Sequence, residues 1–320
     1  MVIQKILFWI FTTKQFQVAG VISHMNTFTI KDLENLSGIK AHTIRIWEQR
    51  YGLLSPQRSK TNIRHYSNVE LKAILNIALL NKYGYKISRI DKMTPEEMQQ
   101  KIAMLSQSEA QQEKLINDLV GAMVDANIDH FESLLEEHIR AKGVEKAILK
   151  TIFPFLEKVG ILWLTNHINP AQEHLATNVI RQKLILGIEG LRMVPENRNP
   201  ILLFLPEGEH HEVGLLFLHY LLKSRGHKVY YLGANVPLKD VEFIVNAKNI
   251  PVLFTHLTSV APNFNFEKFT INAHNRMPDR RILISGLVAQ QYTKKVPPSI
   301  HICKSLHEVM DFFGIPRSSE

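Results

Sequence analysis

The sequence predicts a multidomain α and α/β protein: a winged helix-turn-helix, a helical bundle, and a doubly wound parallel (flavodoxin-like) sheet. Three observations carry this. Two short helical stretches around Ser37-Gly38-Ile39 lead into a basic loop; residues 95–195 keep helical periodicity; and from Asn199 apolar runs of strand length alternate with helical stretches. The expected divisions are an extension at 1–24, the winged helix-turn-helix at 25–95, a helical cap at 96–196 and a sheet domain at 197–320.

The first segment, MVIQKILFWIFTTKQFQVAGVISH, has an apolar run too short for a signal-peptide core. It reads as a poorly ordered extension or an overcalled start, with Met25 opening the folded chain. TIKDLENLSGIKAHT then gives an amphipathic helix with Ile30, Leu33 and Leu36 on one face, a tight turn at Ser37-Gly38-Ile39, and a second helix from about Ala41. After Tyr51-Gly52 comes a loop bearing Arg58, Lys60 and Arg64. Asn68 to Tyr83 shows helical spacing (Leu71, Ile74, Leu75, Ala78, Leu79) and stops at Gly84. Thr94-Pro95-Glu96-Glu97 reads as a capping box with Pro at the first helical position. Further helices start near Asp129 and Asn169-Pro170, with Gly143 dividing two others.

Charge separates these parts. Residues 25–100 hold 12 Lys/Arg against 7 Asp/Glu within a chain of net +8, and the body beyond is nearly neutral. One basic module on a neutral body suits a second helix that enters a major groove while flanking cations neutralise phosphates. The single Cys303 excludes an intrachain disulfide and a Cys-based zinc cluster, fits a reducing cytosol, and reads as a buried, inert thiol. No run of about eighteen apolar residues occurs, so no membrane span is expected.

In the C-terminal part, ILLFLP (201–206), KVYYLG (228–233), VLFTHL (252–257), RILISGL (281–287) and SIHICKS (299–305) read as strands, with a helix from about Val213 to Ser224. Continuously apolar strands separated by helices imply a parallel sheet covered on both faces. Ligands of such sheets bind beyond the strands' carboxyl ends, which makes the loop PEGEHHEVG after the first strand the place to look.

The order Arg45, Trp47, Glu48, Gly52-Leu53-Leu54, Pro56, Arg58, Arg64, Tyr66 resembles the signature of the MerR family of winged-helix transcription regulators, over roughly Thr29 to Ile90. The resemblance implies that His42, Thr43 and Arg45 lie on the recognition helix and that Arg58, Lys60, Asn62, Arg64 and Tyr66 belong to the wing. Asn62-Ile63 replaces the usual wing glycine; Asn accepts positive φ, so the turn is expected to survive.

Glu209-x-His211-x-x-Gly214 is similar to the acid-x-His-x-x-Gly pattern of cobalamin-binding domains. That resemblance makes His211 the lower ligand to cobalt, with Glu209 fixing its tautomer and Gly214 allowing close approach. Trp163, ten residues before Glu173-His174, resembles the helical cap of light-sensing MerR regulators of the CarH/LitR type, where these residues line the upper side of the corrin. The chain departs in three places. Thr255-His256-Leu257 stands for Ser-x-Leu and Ser285-Gly286, followed by Leu287, for Gly-Gly, which narrows the channel for the nucleotide tail; Leu164 stands where the photoreceptors carry their second His ligand.

Together these imply a sequence-specific transcriptional regulator, not an enzyme, sensing adenosylcobalamin, with light dependence as an added option. Its expected partners are a double-stranded DNA operator, further copies of itself in a dimer or tetramer, and RNA polymerase, with a cytoplasmic, nucleoid-associated location. Two other readings stay open: the same regulator with a degenerate pocket that senses another ligand or only oligomerises, and a corrinoid-dependent methyltransferase-type protein.

Overall fold

The computed structural model describes residues 26–164, 168–192, 199–258 and 264–315; the expected extension at 1–24 and the side chain of Trp163 lie outside them. Contacts group the chain into two compact units, one running to Asn127 with Pro154–Glu173, the other Ile128–Phe153 with the chain from His174 onward.

The first unit begins with α1 (Ile30–Ser37), capped by reciprocal hydrogen bonds between Thr29 and Asp32. Gly38, at φ 75°, makes the turn into α2 (Ala41–Tyr51). Strands β1 (Gln57–Arg58) and β2 (Arg64–His65) pair antiparallel, with Arg58 opposite Arg64. Phe28 and Tyr66 form a further bridge that fastens this hairpin to the start of the unit. Then come α3 (Asn68–Lys82), α4 (Ile87–Ile90), α5 (Pro95–Ala103) and α6 (Ser108–Val124); the capping box at Thr94 is present.

Helix α3 buries Leu71, Ile74, Leu75, Ile77, Ala78, Leu79 and Leu80, more than one face. The fully buried members each stabilise the fold by about 1.5–3 kcal/mol, so the helix needs cover on several sides. Helices α5 and α6 supply it, and the compact unit therefore extends past the boundary expected at residue 95. The last carbonyl of α6, Val124, accepts from three side-chain amides: Asn26 Nδ2 at 3.3 Å, Asn68 Nδ2 at 3.2 Å and Gln172 Nε2 at 2.7 Å.

In the second unit α7 (Ile128–Lys142) ends at Gly143, and α8 (Val144–Ala147) leads through a single π-turn into α9 (Phe153–Leu164), whose residues from Pro154 on group with the first unit. Helix α10 (Pro170–Glu189) follows, starting at the expected proline, and its Lys183 pairs with Glu132 of α7 at 2.7 Å. The sheet comprises β3 (Ile201–Pro206), β4 (Val229–Val236), β5 (Val252–His256), β6 (Arg281–Ser285) and β7 (Ile300–Ile302), in the order β4-β3-β5-β6-β7, and every pairing is parallel. Between them run α11 (Val213–Ser224), α12 (Leu238–Lys248), α13 (Phe266–Arg276) and α14 (Leu287–Gln291), and α15 (Leu306–Phe312) closes the series.

All six residues of β3 are buried, as a central strand covered on both faces requires. Leu202, Phe204, Leu253, Ile282 and Ile284 pack with Val241, Val245, Phe266, Phe269 and Ala273 into one apolar cluster. Because the chain leaves β3 for β4 on one side and later returns to β5 on the other, the carboxyl ends of β3 and β5 form the switch point where ligands of such sheets bind. Cys303 is buried, and burial, helped by Glu308, pushes its thiol up to about 11.

Candidate functional site

Two places bring the singled-out residues together. The first is the outer face of α2 with its wing. His42 and Arg45 are exposed and Thr43 is half-buried, whereas Ile44 and Trp47 anchor the opposite face in the core. Arg58 and Lys60 of the wing are exposed as well. The wing turn closes through Ser59 N–H to the Ile63 carbonyl (2.9 Å) and Asn62 N–H to the Ser59 carbonyl (2.9 Å). Asn62 takes φ 63° and accepts from the Arg58 guanidinium at 2.7 Å, so asparagine does replace a glycine here.

Glu48, on the inner side of α2, holds the wing in register. Its carboxylate accepts from Arg64 Nε at 3.0 and 3.1 Å and from the Tyr66 hydroxyl at 3.3 Å, with Arg58 at 3.8 Å. Tyr66, expected among the wing residues at DNA, is fully buried; it is a core residue whose role is to fix the wing. Burial, reinforced by Glu48, pushes its phenol up to about 12. Arg64 is likewise mostly enclosed and already engaged, which leaves Arg58 and Lys60 as the wing cations presented outward.

The second place is the crevice at the carboxyl ends of β3 and β5. Glu209 is completely buried, and both its carboxylate oxygens accept hydrogen bonds. Oε1 accepts from the backbone N–H of His210 (2.8 Å) and His211 (2.9 Å) and lies 2.7 Å from His211 Nδ1; Oε2 accepts from Thr258 N–H at 2.7 Å. A carboxylate only accepts, so Nδ1 carries a proton, which in the neutral ring leaves the lone pair on Nε2. The His211 side chain is 51% exposed while its carboxylate partner has no exposure, the arrangement of an imidazole aimed outward from a rigid base. The His210 side chain is exposed, and its only part in the cluster is its backbone N–H.

Behind this loop three further elements meet. Gly214 opens α11, and the ring of His256, at the end of β5, packs directly against it. His256 Nδ1 lies 2.7 Å from Ser285 Oγ at the end of β6. Burial holds this imidazole below its ordinary range; Glu209 opposes the shift and His211 adds to it. Gly286, at φ 99°, has no room for a side chain, since a Cβ would stand 2.3 Å from the Leu257 carbonyl oxygen. Leu257 itself is in the apolar core, and the Thr255 hydroxyl is buried with no hydrogen-bond partner among the described residues. Leu287, expected to help narrow the channel, is 54% exposed.

Glu173 and His174 occupy the first turn of α10, half-buried and exposed respectively, and Trp163 lies near the end of α9. A donor set of one imidazole with its carboxylate suits a metal whose other positions are already filled by a macrocycle, and the unsatisfied Thr255 hydroxyl suits a ligand that brings a polar group. The residues fit a corrinoid. Sequence reasoning missed the bond from Thr258 and the place of His256; the latter's one trace was a histidine inside an otherwise apolar strand end.

Residues 28–97 match the model of the MerR HTH family regulatory protein, and residues 115–186 match that of the B12 binding domain. The chain is 28% identical to the HTH-type transcriptional repressor CarA of Myxococcus xanthus over 273 residues, 84% of this chain and 90% of that protein. It is also 28% identical to the repressor CarH of the same organism over 221 residues, 67% of this chain and 73% of the relative. Among solved structures, the monomethylamine corrinoid protein of Methanosarcina barkeri aligns at a TM-score of 0.41 and 17% identity, covering 54% of this chain and 84% of that one. The chain thus carries a MerR-type helix-turn-helix domain followed by a B12-binding domain, and it is homologous to the CarH and CarA repressors over most of its length.

Proposed function

We propose that this protein is a non-enzymatic transcriptional regulator that binds an operator through α2 and the wing and senses a corrinoid, adenosylcobalamin by preference, at His211. The observation that carries the reading is the buried Glu209 locking His211 into one tautomer, in a chain whose N-terminal module presents a basic helix face.

On the DNA side, Arg45, His42 and Thr43 face the major groove, and Arg58 and Lys60 neutralise backbone phosphates. One recognition helix spans only a few base pairs, so operator affinity requires at least two copies of the chain on paired half-sites. Contact with RNA polymerase and action in the cytoplasm, at the nucleoid, follow from that role. On the sensor side, Glu209 would keep the proton on Nδ1 and make Nε2 the ligand atom, and the resemblance assigns Trp163, Glu173 and His174 to the upper side of the corrin. A bound adenosylcobalamin supplies a weak, light-cleavable cobalt–carbon bond. Leu164, having no ligand atom, gives no second imidazole at the position after Trp163.

Purified protein incubated in the dark with adenosylcobalamin should co-elute with the corrinoid, show a His-ligated absorption spectrum, and change its operator affinity in gel-shift titration. Protein that takes up no corrinoid while still binding DNA would overturn the sensor half of this reading.

A further inference from the structure

We propose that the sheet domain carries a second ligand site, for a small anion with an apolar body, in the cavity between the starts of α12 and α13. The cavity measures about 650 Å³ and lies at the carboxyl ends of β3 and β4, where Pro206 and Val236 line it. It is on the opposite face of the sheet from His256. The ring of His256 packs on Gly214 of α11, whereas Leu253, at odd spacing from it along β5, packs with Phe269 of α13 in the apolar cluster. The corrinoid reading takes no part in this proposal.

The lining selects the chemistry of the ligand. Phe264 and Phe269, with ring centroids 5.4 Å apart, form an apolar wall together with Leu238. Lys239 stands in the first turn of α12, Lys268 in the first turn of α13 and Arg276 at its end: three cations against one lining carboxylate, Glu207. Arg276 is already paired with Glu242 at 2.6 Å. Lys239 and Lys268 are exposed and have no ion-pair partner among the described residues, so their charge is uncompensated. Helix α12 also begins without a side-chain cap. Charge of one sign gathered on a partly apolar concavity attracts an anion and rewards one that covers the wall. A neutral apolar ligand leaves both lysines unanswered, and a bare inorganic anion leaves the two phenylalanine rings uncovered.

The test uses the full-length chain and the fluorescence of anilinonaphthalene sulfonate, an aromatic anion. It is titrated into wild type, into the double variant Lys239→Glu/Lys268→Glu, and into Lys248→Glu, which reverses an exposed cation of α12 outside the cavity. The expected result is saturable binding to wild type and to Lys248→Glu that weakens by roughly tenfold or more in the double variant. Should the double variant not fold, Lys239→Gln and Lys268→Gln singly each weaken binding by roughly threefold. Competition then identifies the head group: displacement by adenosine monophosphate marks a phosphate ligand, and displacement by octanoate a carboxylate one. Absence of saturable binding, equal affinity in wild type and the lysine variants, an equal loss in Lys248→Glu, or displacement by neither competitor overturns the proposal.

Discussion

Adjacent histidines show how much one hydrogen bond decides. His211 has its Nδ1 bound to a buried carboxylate, and His210, one position earlier, contributes only its backbone N–H. His211→Ala should therefore abolish the His-ligated corrinoid spectrum, His210→Ala should leave it in place, and Glu209→Gln should weaken uptake by about 10–100-fold through the loss of orientation. Absorption titrations of the three variants check this, and equal losses at 210 and 211 would contradict the assigned ligand. His219, in α11, illustrates the opposite case. Its ring stacks on Tyr231 at 5.1 Å, and burial, with Lys223 adding and Glu189 opposing, lowers it to about 4. A base held below its unfolded value stabilises the neutral form: that contribution is complete above about 6.5 and is lost as the pH falls toward 4. Wild type should lose about 1–2 kcal/mol of stability from this partly exposed group on going from neutral pH to pH 5. His219→Phe, which keeps a ring for Tyr231, should lose correspondingly less, as read from urea midpoints at the two values. The sequence disclosed the Glu209–His211 pair because acid, histidine and glycine stand at short, fixed spacing. It did not disclose His256, whose partners Gly214 and Ser285 lie far away in the chain and meet only through the sheet.

At the level of elements, the wing is a hairpin of only two residues per strand, too short to hold itself, and the Glu48 carboxylate on α2 supplies the missing attachment. Two classes of wing mutation follow. Arg64→Ala leaves Glu48 in a mostly enclosed place without its main partner and should lower stability by about 1.5–3 kcal/mol, weakening DNA binding indirectly. Lys60→Ala should leave the melting temperature alone and reduce the salt dependence of operator binding by about one phosphate contact. Thermal melts alongside gel shifts at several salt concentrations separate the two; a stable Arg64→Ala protein with the same reduced salt slope would show that Arg64 also reaches phosphate. Strand and helix positions were largely legible, and α11 lies where its apolar spacing puts it, because buried parallel strands and amphipathic helices write their periods into composition. Burial of Tyr66 was not legible. An aromatic at the end of a basic loop has the same sequence appearance whether it faces DNA or Phe28, and the bridge that decides it joins residues 38 positions apart.

At the level of the whole molecule, the order of modules could be read from the change of period at Asn199 and the charge confined to residues 25–100, but the grouping of helices could not. Helical spacing shows that α3 has apolar sides without saying what covers them. The same limit hid Gln172. This residue precedes the Glu173-His174 pair, and both ends of its amide are engaged: Oε1 accepts from Asn169 N–H at 2.8 Å and Nε2 donates to the Val124 carbonyl. Gln172→Leu should cost about 1–3 kcal/mol, measured by chemical denaturation, because it strands a donor and weakens the cover of an acceptor, while Gln172→Glu should restore only the Asn169 half.

The Val124 carbonyl has two lone pairs and three suitors. Asn26 stands before the first DNA-binding helix, Asn68 begins the helix after the wing, and Gln172 begins the helix whose next two residues are Glu173 and His174. One carbonyl oxygen thus joins the start of the chain, the helix after the wing and the start of α10, with Gln172 its shortest donor. Its stretching band, isolated by isotope labelling of Val124, should shift to higher frequency in Gln172→Leu, which removes that donor.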